Sequence, residues 1–254
     1  MSAEAILRVE GLAHAYGRFQ VLRDVSLTVP SGVLTALIGP NGAGKTTFYN
    51  IVSGRFRPSR GKVYFQGRDI TGMPPHRIAP LGLARSFQIT NVFPHLTVLD
   101  NVLVPLVLEA RKTFALWRDL RRERALRERA EAVLDRVGLL PLAHRRAREL
   151  AYGDKRLVEI ALVLAREPKL VLLDEPTAGM TPEETERMAG LVRELADRFG
   201  TTFFLTEHDM QVVFALAARI HVLHQGVLLA SGPPEAIRDD ERVREAYLGK
   251  GRHA

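Results

Sequence analysis

The chain has 254 residues, of which 46% are hydrophobic and 26% are charged, values that suit one large globular α/β domain. It contains no cysteine, which excludes a disulfide framework and a thiolate metal site. Residues 1–10 lack the pattern of a secretory signal and no run of about 18 apolar residues occurs, so we expect neither a leader peptide nor a membrane-spanning helix.

The formal net charge of +7 is concentrated in one stretch of the chain. Residues 111–148 hold 12 Lys and Arg against 5 Asp and Glu, which accounts for the whole excess of positive charge. Such a stretch is typical of a solvated helix with interleaved acids, of a contact with anionic lipid or a membrane protein, or of a nucleic-acid surface.

The N-terminal part of the chain predicts strands. Residues 6–9 predict an edge strand, residues 11–17 a turn region, and the alternating residues 21–29 a second strand. The apolar, β-branched run 33–38 predicts a buried strand.

A phosphate-binding loop follows the predicted buried strand. The run GPNGAGKTT has the spacing G-x-x-x-x-G-K-T and leads into a helix predicted to begin at Lys45. Its glycines let backbone amides approach a phosphate, and the helix N-terminus adds partial positive charge. We expect Lys45 to reach the β- and γ-phosphates and the Thr46 hydroxyl to ligate Mg²⁺. The predicted nucleotide-binding residues of the loop are Gly39, Asn41, Gly42, Ala43, Gly44, Lys45, Thr46 and Thr47.

The rest of the chain alternates between predicted strands and helices. The predicted strands are 62–65, 83–88, 170–173 and 202–206, and two helices and then a terminal hairpin of 220–223 with 227–230 are expected to follow. The predicted helices are a short one that begins with Pro74 and Pro75, then 97–108 with Pro105 inside it, 114–137, 154–166, and one from Pro182 to about 198 with a Thr181–Glu184 capping box.

This order predicts an α/β fold: a P-loop NTPase (RecA-like) core with a mostly parallel sheet, an N-terminal antiparallel β region and an inserted helical subdomain. The expected bounds are approximately 1–88 and 156–254 for the nucleotide-binding core and approximately 89–155 for the helical subdomain, within a single domain 1–254.

Two acids follow the apolar strand 170–173. Asp174 stands at the carboxyl end of this strand, where ligands bind in open α/β sheets, and is expected to hold Mg²⁺ directly or through water. Glu175 comes next and could orient or deprotonate an attacking water. The alternative is that both acids cap the turn at Pro176.

Together these motifs resemble those of the ATP-binding subunit of an ABC transporter, over nearly the whole chain. In this resemblance Tyr16 corresponds to the aromatic residue that stacks on adenine, Gln88 to the glutamine that contacts Mg²⁺ and the attacking water, and His208 to the histidine that senses the γ-phosphate. The run LAYGDKR at 150–156 is similar to the family signature.

The resemblance implies ATP and Mg²⁺ as cofactors of an ATPase. The catalytic residues that it implies are Lys45, Gln88, Glu175 and His208. The Mg²⁺ ligands that it implies are Thr46, Gln88 and Asp174. The signature residues that it implies to act on ATP bound by a second subunit are Leu150, Ala151, Tyr152, Gly153 and Asp154.

Short phrases narrow the resemblance to importers of branched-chain amino acids and their urea- and amide-importing relatives. They are TAGMT at 177–181, EHDM at 207–210 and AYLG at 246–249, together with the helical insert at 117–129. The implied subunit is peripheral, at the cytoplasmic face of the inner or plasma membrane. The implied partners are a second ABC ATPase in a homodimer or heterodimer, transmembrane permease subunits and, indirectly, a periplasmic or lipid-anchored solute-binding protein.

Three alternatives to this function stay open. A urea or amide importer and a lipopolysaccharide-export system use similar short ATPases. A nucleic-acid-associated ABC ATPase would account for the basic stretch, but such relatives usually carry coiled coils or a second ATPase domain, so we expect no nucleic-acid partner.

Two residues depart from the family pattern. Thr181 stands where the family often has aspartate, which bears on communication between subunits. Ala151 stands where the family commonly has serine, and a hydrogen bond to a charged group is worth about 1.5–3 kcal/mol.

We therefore expect Ala151→Ser to raise the ATPase rate of the assembled complex, because the new hydroxyl adds a donor to the composite site. Steady-state phosphate release measures this rate. An unchanged or lower rate would mean that the missing hydroxyl does not limit hydrolysis.

Overall fold

The structure is a computed structural model that describes residues 4–86, 92–109 and 124–248. The chain forms two compact units. The first unit comprises Met1–Arg85, Lys169–Pro176 and Val192–Ala254. The second comprises Ser86–Pro168 and Thr177–Leu191. The domain bounds expected from the sequence stay predictions.

The described strands and α-helices are numbered in chain order. The strands are β1 (Ala5–Tyr16), β2 (Phe19–Pro30), β3 (Thr35–Ile38), β4 (Arg60–Phe65), β5 (Arg68–Asp69), β6 (Leu83–Arg85), β7 (Leu170–Asp174), β8 (Thr202–Thr206), β9 (Arg219–His224) and β10 (Val227–Gly232). The helices are α1 (Lys45–Val52), α2 (Pro75–Ile78), α3 (Val98–Glu109), α4 (Arg124–Arg136), α5 (Tyr152–Leu164), α6 (Pro182–Phe199), α7 (Met210–Leu216), α8 (Pro234–Asp239) and α9 (Glu241–Leu248).

The first unit contains two sheets. A four-stranded sheet has the order β2-β1-β4-β5 and is antiparallel throughout. A six-stranded sheet has the order β10-β9-β3-β8-β7-β6, in which only the β9–β10 pair is antiparallel. Every residue of β3, β7 and β8 is buried, as expected for parallel strands that are covered on both faces. The predicted fold class is thereby confirmed.

The predicted first strand, 6–9, is present within β1, but its predicted position in the sheet is wrong. The strand β1 is not an edge strand, because it pairs with β2 on one side and β4 on the other. The turn predicted at 11–17 is shorter than expected: β1 continues through Tyr16, and the turn lies at residues 17–18. Gly11 has φ +56° and lies where the register shifts between Val9 and Leu12. The glycine therefore permits a β-bulge within the strand.

The prediction that a hairpin ends the chain is also wrong. One helix, α7, precedes the β9–β10 hairpin, and two helices, α8 and α9, follow it. Pro234 occupies the first turn of α8, where its fixed φ favours a helix start.

The helix after the phosphate loop is anchored in the core of the first unit. Phe48 and Tyr49 of α1 are fully buried, and their rings lie 6.1 and 5.4 Å from the ring of Phe204 on β8. The Tyr49 hydroxyl donates a hydrogen bond of 2.7 Å to the Phe204 carbonyl. Because a buried hydroxyl needs a hydrogen-bond partner, this bond fixes α1 against β8, the neighbour of β7 in the sheet.

The second unit contains α3, α4 and α5. Pro105 lies inside α3, as predicted, and the side chain of the fully buried Asn101 binds the backbone of Phe93 and Thr97. Leu126 and Val133 belong to the buried face of α4. Residues 110–123, which include the first part of the predicted helix 114–137, lie outside the described residues.

The arginines of α4 are interleaved with acids. Arg124 pairs with Glu128 and Arg127 with Glu131, each four residues further along the helix. These contacts favour the interpretation of this part of the basic stretch as a solvated helix face. None of the helices that the structure describes is long and apolar enough to cross a membrane.

A buried histidine makes folding of the first unit sensitive to acid. His221 on β9 is 2% exposed, and its Nε2–H donates to the Thr28 carbonyl at 3.0 Å. Burial lowers the pKa of His221 from 6.5 to about 4, although the bond to Thr28 opposes the shift. The unfolded chain therefore takes up a proton near pH 6.5 that the folded chain takes up only near pH 4.

We expect His221 to lower the free energy of unfolding by about 3 kcal/mol at most as the pH falls from about 6.5 to 4. In His221→Gln the amide can still donate to Thr28 but does not titrate, so the unfolding free energy should fall less steeply across this window. Urea unfolding at a series of pH values measures the slope. Equal slopes for both proteins would contradict the role of His221.

Candidate nucleotide-binding site

The phosphate loop joins β3 to α1, in the order that the sequence predicts. Gly44 precedes α1 with φ +105°, a backbone conformation that favours glycine. A Cβ atom at Gly39 would lie 2.1 Å from the Leu223 carbonyl oxygen, so only glycine fits there. The loop is thus held close to β9 in a shape that a side chain would prevent.

The remaining loop residues differ in exposure. Asn41, Gly42 and Thr46 are exposed, whereas Ala43 and Thr47 are buried. The exposed Thr46 stands in the first turn of α1, where its hydroxyl can meet a ligand of the loop.

Lys45 is the buried cation of the loop. It is 7% exposed, and its ammonium donates to the carbonyls of Gly39 at 2.6 Å and Pro40 at 3.2 Å. Burial lowers the pKa of Lys45, while the charges of Glu175 and Asp174 act in the opposite direction. The loop therefore holds an ammonium group within the field of both acids.

Tyr16 presents an aromatic surface beside the loop. It ends β1, is 48% exposed and has its hydroxyl 3.4 Å from the Thr47 hydroxyl. Its ring meets those of His14 and Phe56 edge to face, with centroids 4.9 and 5.9 Å away. These two rings support Tyr16 and leave part of its surface available for a flat ligand.

Asp174 ends β7 and is 4% exposed. Its Oδ2 accepts a hydrogen bond of 2.7 Å from the Arg85 guanidinium, and its Oδ1 accepts one of 2.8 Å from the Thr206 hydroxyl. Neither Arg85 nor Thr206 is among the site residues predicted from the sequence. Two features of the sequence could have indicated them: Arg85 is a cation in a short predicted strand beside apolar residues, and Thr206 is a hydroxyl residue at the end of another predicted strand.

Glu175 turns away from Asp174 into a different environment. Its φ is +50°, which is uncommon for a residue with a side chain, and its N–H donates to the Thr206 carbonyl at 3.0 Å. Its Oε1 lies 2.6 Å from Nε2 of His208. The structure thus brings Lys45, Asp174, Glu175 and His208 into the same unit, at the carboxyl ends of β3, β7 and β8 and in the segments that follow them.

The donor set fits a magnesium ion. Thr46 and Asp174 offer a hydroxyl and a carboxylate, and Mg²⁺ prefers oxygen ligands and is usually held by few protein groups together with nucleotide phosphates and water. Within residues 4–86, 92–109 and 124–248, no group of three or more His, Asp or Glu side chains could hold a metal by itself. The third predicted ligand, Gln88, lies outside the described residues.

The signature run opens α5 in the second unit. Leu150 is buried, and Ala151 is the N-cap, where it supplies no side-chain hydrogen bond. The helix begins at Tyr152, two residues before its predicted start at Asp154. The Tyr152 hydroxyl donates to the Ala178 carbonyl at 3.1 Å.

Glu184 supplies the acceptor that Ala151 lacks. Its Oε1 accepts a hydrogen bond of 3.2 Å from the Gly153 N–H, in the first turn of α5. A Cβ atom at Gly153 would lie 2.5 Å from the same oxygen, so glycine admits this approach. The carboxylate therefore occupies the role that a capping hydroxyl at 151 would have.

The same carboxylate completes the capping box that the sequence predicts. Glu184 Oε2 accepts from the Thr181 N–H at 3.1 Å, and Thr181 Oγ1 accepts from the Glu184 N–H at 3.3 Å. The capping box is confirmed. Thr181, which departs from the family pattern, is thus the N-cap of α6.

Comparison with known proteins places the chain in a family. Residues 22–178 match the model of the family described as ABC transporter. Residues 227–253 match the model described as branched-chain amino acid ATP-binding cassette transporter.

Relatives and solved structures match nearly the whole chain. The high-affinity branched-chain amino acid transport ATP-binding protein LivG of Salmonella typhimurium is 39% identical, across 98% of this chain and 99% of its own. The lipopolysaccharide export system ATP-binding protein LptB of Acidithiobacillus ferridurans is 38% identical, across 96% and 97%.

Two solved structures of ATP-binding cassettes share the fold. An ATP-binding cassette of an ABC transporter in its ADP conformation has a TM-score of 0.87 and 32% identity, across 98% of this chain and 100% of that one. A dimeric bacterial ABC transporter cassette has a TM-score of 0.75 and 26% identity, across 90% and 98%.

The chain belongs to the ABC transporter family and is an ABC ATPase. Its resemblance to the branched-chain amino-acid group within that family is also confirmed, by the C-terminal match and by LivG.

The shared carboxylate predicts a thermodynamic coupling between Ala151 and Glu184. Ala151→Ser should stabilise the Glu184→Ala variant by about 1 kcal/mol, because a serine N-cap then satisfies Gly153. It should stabilise the wild-type protein less, since Glu184 already fills that role. Denaturant unfolding of the four proteins of the double-mutant cycle measures the difference.

Thr181→Ala is the matched control, because it removes the capping hydroxyl of α6 but keeps the bond from Gly153 to Glu184. It should show no coupling with Ala151→Ser. Equal stabilisation in the wild-type and Glu184→Ala backgrounds would rule out the shared cap.

Proposed function

We propose that the chain hydrolyses Mg-ATP to drive the import of branched-chain amino acids. The observation that carries the proposal is the Glu175–His208 pair, 2.6 Å apart at the edge that holds the phosphate loop and Asp174. The C-terminal match and LivG support the choice of transported solute.

Nucleotide binding follows from the elements beside the loop. The adenine ring would stack on the exposed surface of Tyr16, and amides of the loop would donate to phosphate oxygens. Lys45 would exchange its carbonyl partners, Gly39 and Pro40, for the β- and γ-phosphates. This exchange favours binding because charged hydrogen bonds replace neutral ones.

Hydrolysis requires an activated water near the γ-phosphate. Glu175 is the proposed base, because its carboxylate faces His208 and is held apart from Asp174 by the positive φ. His208, with its side chain 47% exposed, would donate to a γ-phosphate oxygen as charge develops. Thr46, Asp174 and Gln88 would hold Mg²⁺, which supplies charge neutralisation at the phosphates when bound.

The signature run would complete the site of a second ATPase subunit. Its role is supported by the exposed N-terminus of α5, where Ala151 and Tyr152 are both exposed and helix amides carry partial positive charge. The dimeric cassette with a similar fold supports a homodimer or heterodimer.

Transport would require further partners. We propose permease subunits that contact the Gln88 region, a location at the cytoplasmic face of the membrane, and a solute-binding protein outside it. The interleaved acids of α4 argue against a nucleic-acid partner, because they neutralise part of the basic stretch.

Lipopolysaccharide export is the second candidate function, because LptB matches nearly the whole chain. Reconstitution of the ATPase with the permeases and solute-binding protein encoded beside it would separate the candidates. Leucine-dependent ATPase activity and uptake are the expected results. Stimulation by urea, amides, lipopolysaccharide or nucleic acid instead would overturn the proposed solute.

Glu175→Gln should lower the ATPase rate by about 10²–10⁴-fold, because it removes the base but keeps the size of the side chain. ATP affinity should be retained, since Lys45 and the loop are unchanged. Phosphate release and equilibrium binding measure the two quantities. Glu235→Gln, an exposed change on α8, is the control and should leave both unaffected. Near wild-type turnover by Glu175→Gln would refute this role.

A further inference from the structure

Arg85 is a buried cation that contacts the proposed magnesium ligand. Its side chain is 7% exposed, and one guanidinium nitrogen lies 2.7 Å from Asp174 Oδ2. The other terminal nitrogen donates to Asn50 Oδ1 at 2.7 Å and, at 3.3 Å, to Ser53 Oγ. Since Asn50 belongs to α1 and Ser53 follows it, one guanidinium joins the helix of the phosphate loop to the acid that ends β7.

The surroundings of Arg85 are built from the same elements. Its guanidinium lies 5.7 Å from the centre of the Tyr49 ring, and the Tyr49 hydroxyl is bound to the Phe204 carbonyl. Burial raises the pKa of Tyr49, and the charge of Asp174 acts in the same direction, so this hydroxyl stays a donor. The ring beside the Arg85 guanidinium is therefore held in place by its own bond to β8.

A carboxylate buried as deeply as Asp174 needs compensation for its lost hydration. Arg85 supplies an opposite charge and a hydrogen bond, and Thr206 supplies a second hydrogen bond to the other oxygen. Because each oxygen accepts at least one hydrogen bond, from Arg85 or from Thr206, the plane of the carboxylate is fixed. The remaining lone-pair directions of both oxygens are fixed with it.

We propose that Arg85 is a positioning residue for magnesium. It holds the Asp174 carboxylate in the orientation that the ion or its bound water needs, and it ties that orientation to the phosphate loop through α1. The inference rests on the proposed role of Asp174 as a magnesium ligand. It adds that the strength of magnesium binding depends on Arg85, a residue that is not itself a proposed ligand of the nucleotide or the metal.

The alternative is that Arg85 only stabilises the fold. A general loosening of the site would weaken nucleotide binding equally with and without Mg²⁺, because the loop itself would be disturbed. A positioning residue affects only the part of the affinity that Mg²⁺ adds. Loss of a group that orients a metal ligand typically lowers metal affinity about 10–100-fold.

The test uses the full chain and a non-hydrolysable ATP analogue. Its Kd is measured in EDTA and across a titration with MgCl₂, for the wild type, Arg85→Met and Arg85→Lys. For Arg85→Met we expect the Mg²⁺ concentration at half-saturation to rise about 10–100-fold, with the Kd in EDTA unchanged. Arg85→Lys keeps the charge but loses the fork to Asn50 and Asp174, so its shift should be intermediate.

Two further variants keep the inference testable if Arg85→Met does not fold. Thr206→Val removes the donor to the other oxygen of Asp174 and should shift the Mg²⁺ dependence in the same direction. Arg8→Met is the matched control. Like Arg85, Arg8 pairs with a carboxylate, that of Glu10, and lies over a tyrosine ring, that of Tyr64. Because Arg8 lies on β1 and does not contact Asp174, Arg8→Met should leave the Mg²⁺ dependence unchanged.

The outcomes separate the inference from the function on which it rests. If Mg²⁺ does not strengthen analogue binding even in the wild-type protein, the proposed role of Asp174 fails. If Mg²⁺ strengthens analogue binding in the wild-type protein, and strengthens it equally in Arg85→Lys and Thr206→Val, the role of Arg85 is overturned. Weakening in EDTA by the same factor as in Mg²⁺ would also overturn it, because it would identify Arg85 as purely structural.

Discussion

The buried ion pair between Arg85 and Asp174 is the interaction on which the nucleotide site depends. A buried strand that ends in a carboxylate is stable only if that charge has partners, because removing a charged group from water costs much free energy. Arg85 and Thr206 provide them from the two strands beside β7. The pair also reaches Asn50 on α1, so the acid and the phosphate loop are held by the same side chain.

Adjacent acids take different roles because the backbone separates them. Asp174 faces the buried guanidinium, whereas the positive φ of Glu175 directs its carboxylate to the partly exposed His208. A carboxylate in each environment suits the proposed division between metal ligand and base. In the second unit, Glu184 likewise gives one oxygen to the cap of α6 and the other to the start of α5. That arrangement explains how the signature helix begins with Ala151.

Features specified by neighbouring residues were predictable from the sequence. The phosphate loop and the capping box at Thr181 depend on short spacings, and the parallel sheet on the alternation of apolar runs with helices. The position of β1 inside its sheet was not predictable, because it depends on pairing with two other strands. Without those pairings, Gly11 is typical of a turn. The Arg85–Asp174 pair joins residues 89 apart in the chain, and no local pattern reports it.

A crystal structure of Glu175→Gln with ATP and Mg²⁺ tests the central claim most directly. Asp174, still bonded to Arg85, should face the metal through an oxygen or a bound water. Lys45 should contact the β- and γ-phosphates, and His208 the γ-phosphate. Magnesium held without Asp174, or a nucleotide bound away from the phosphate loop, would contradict the proposed site.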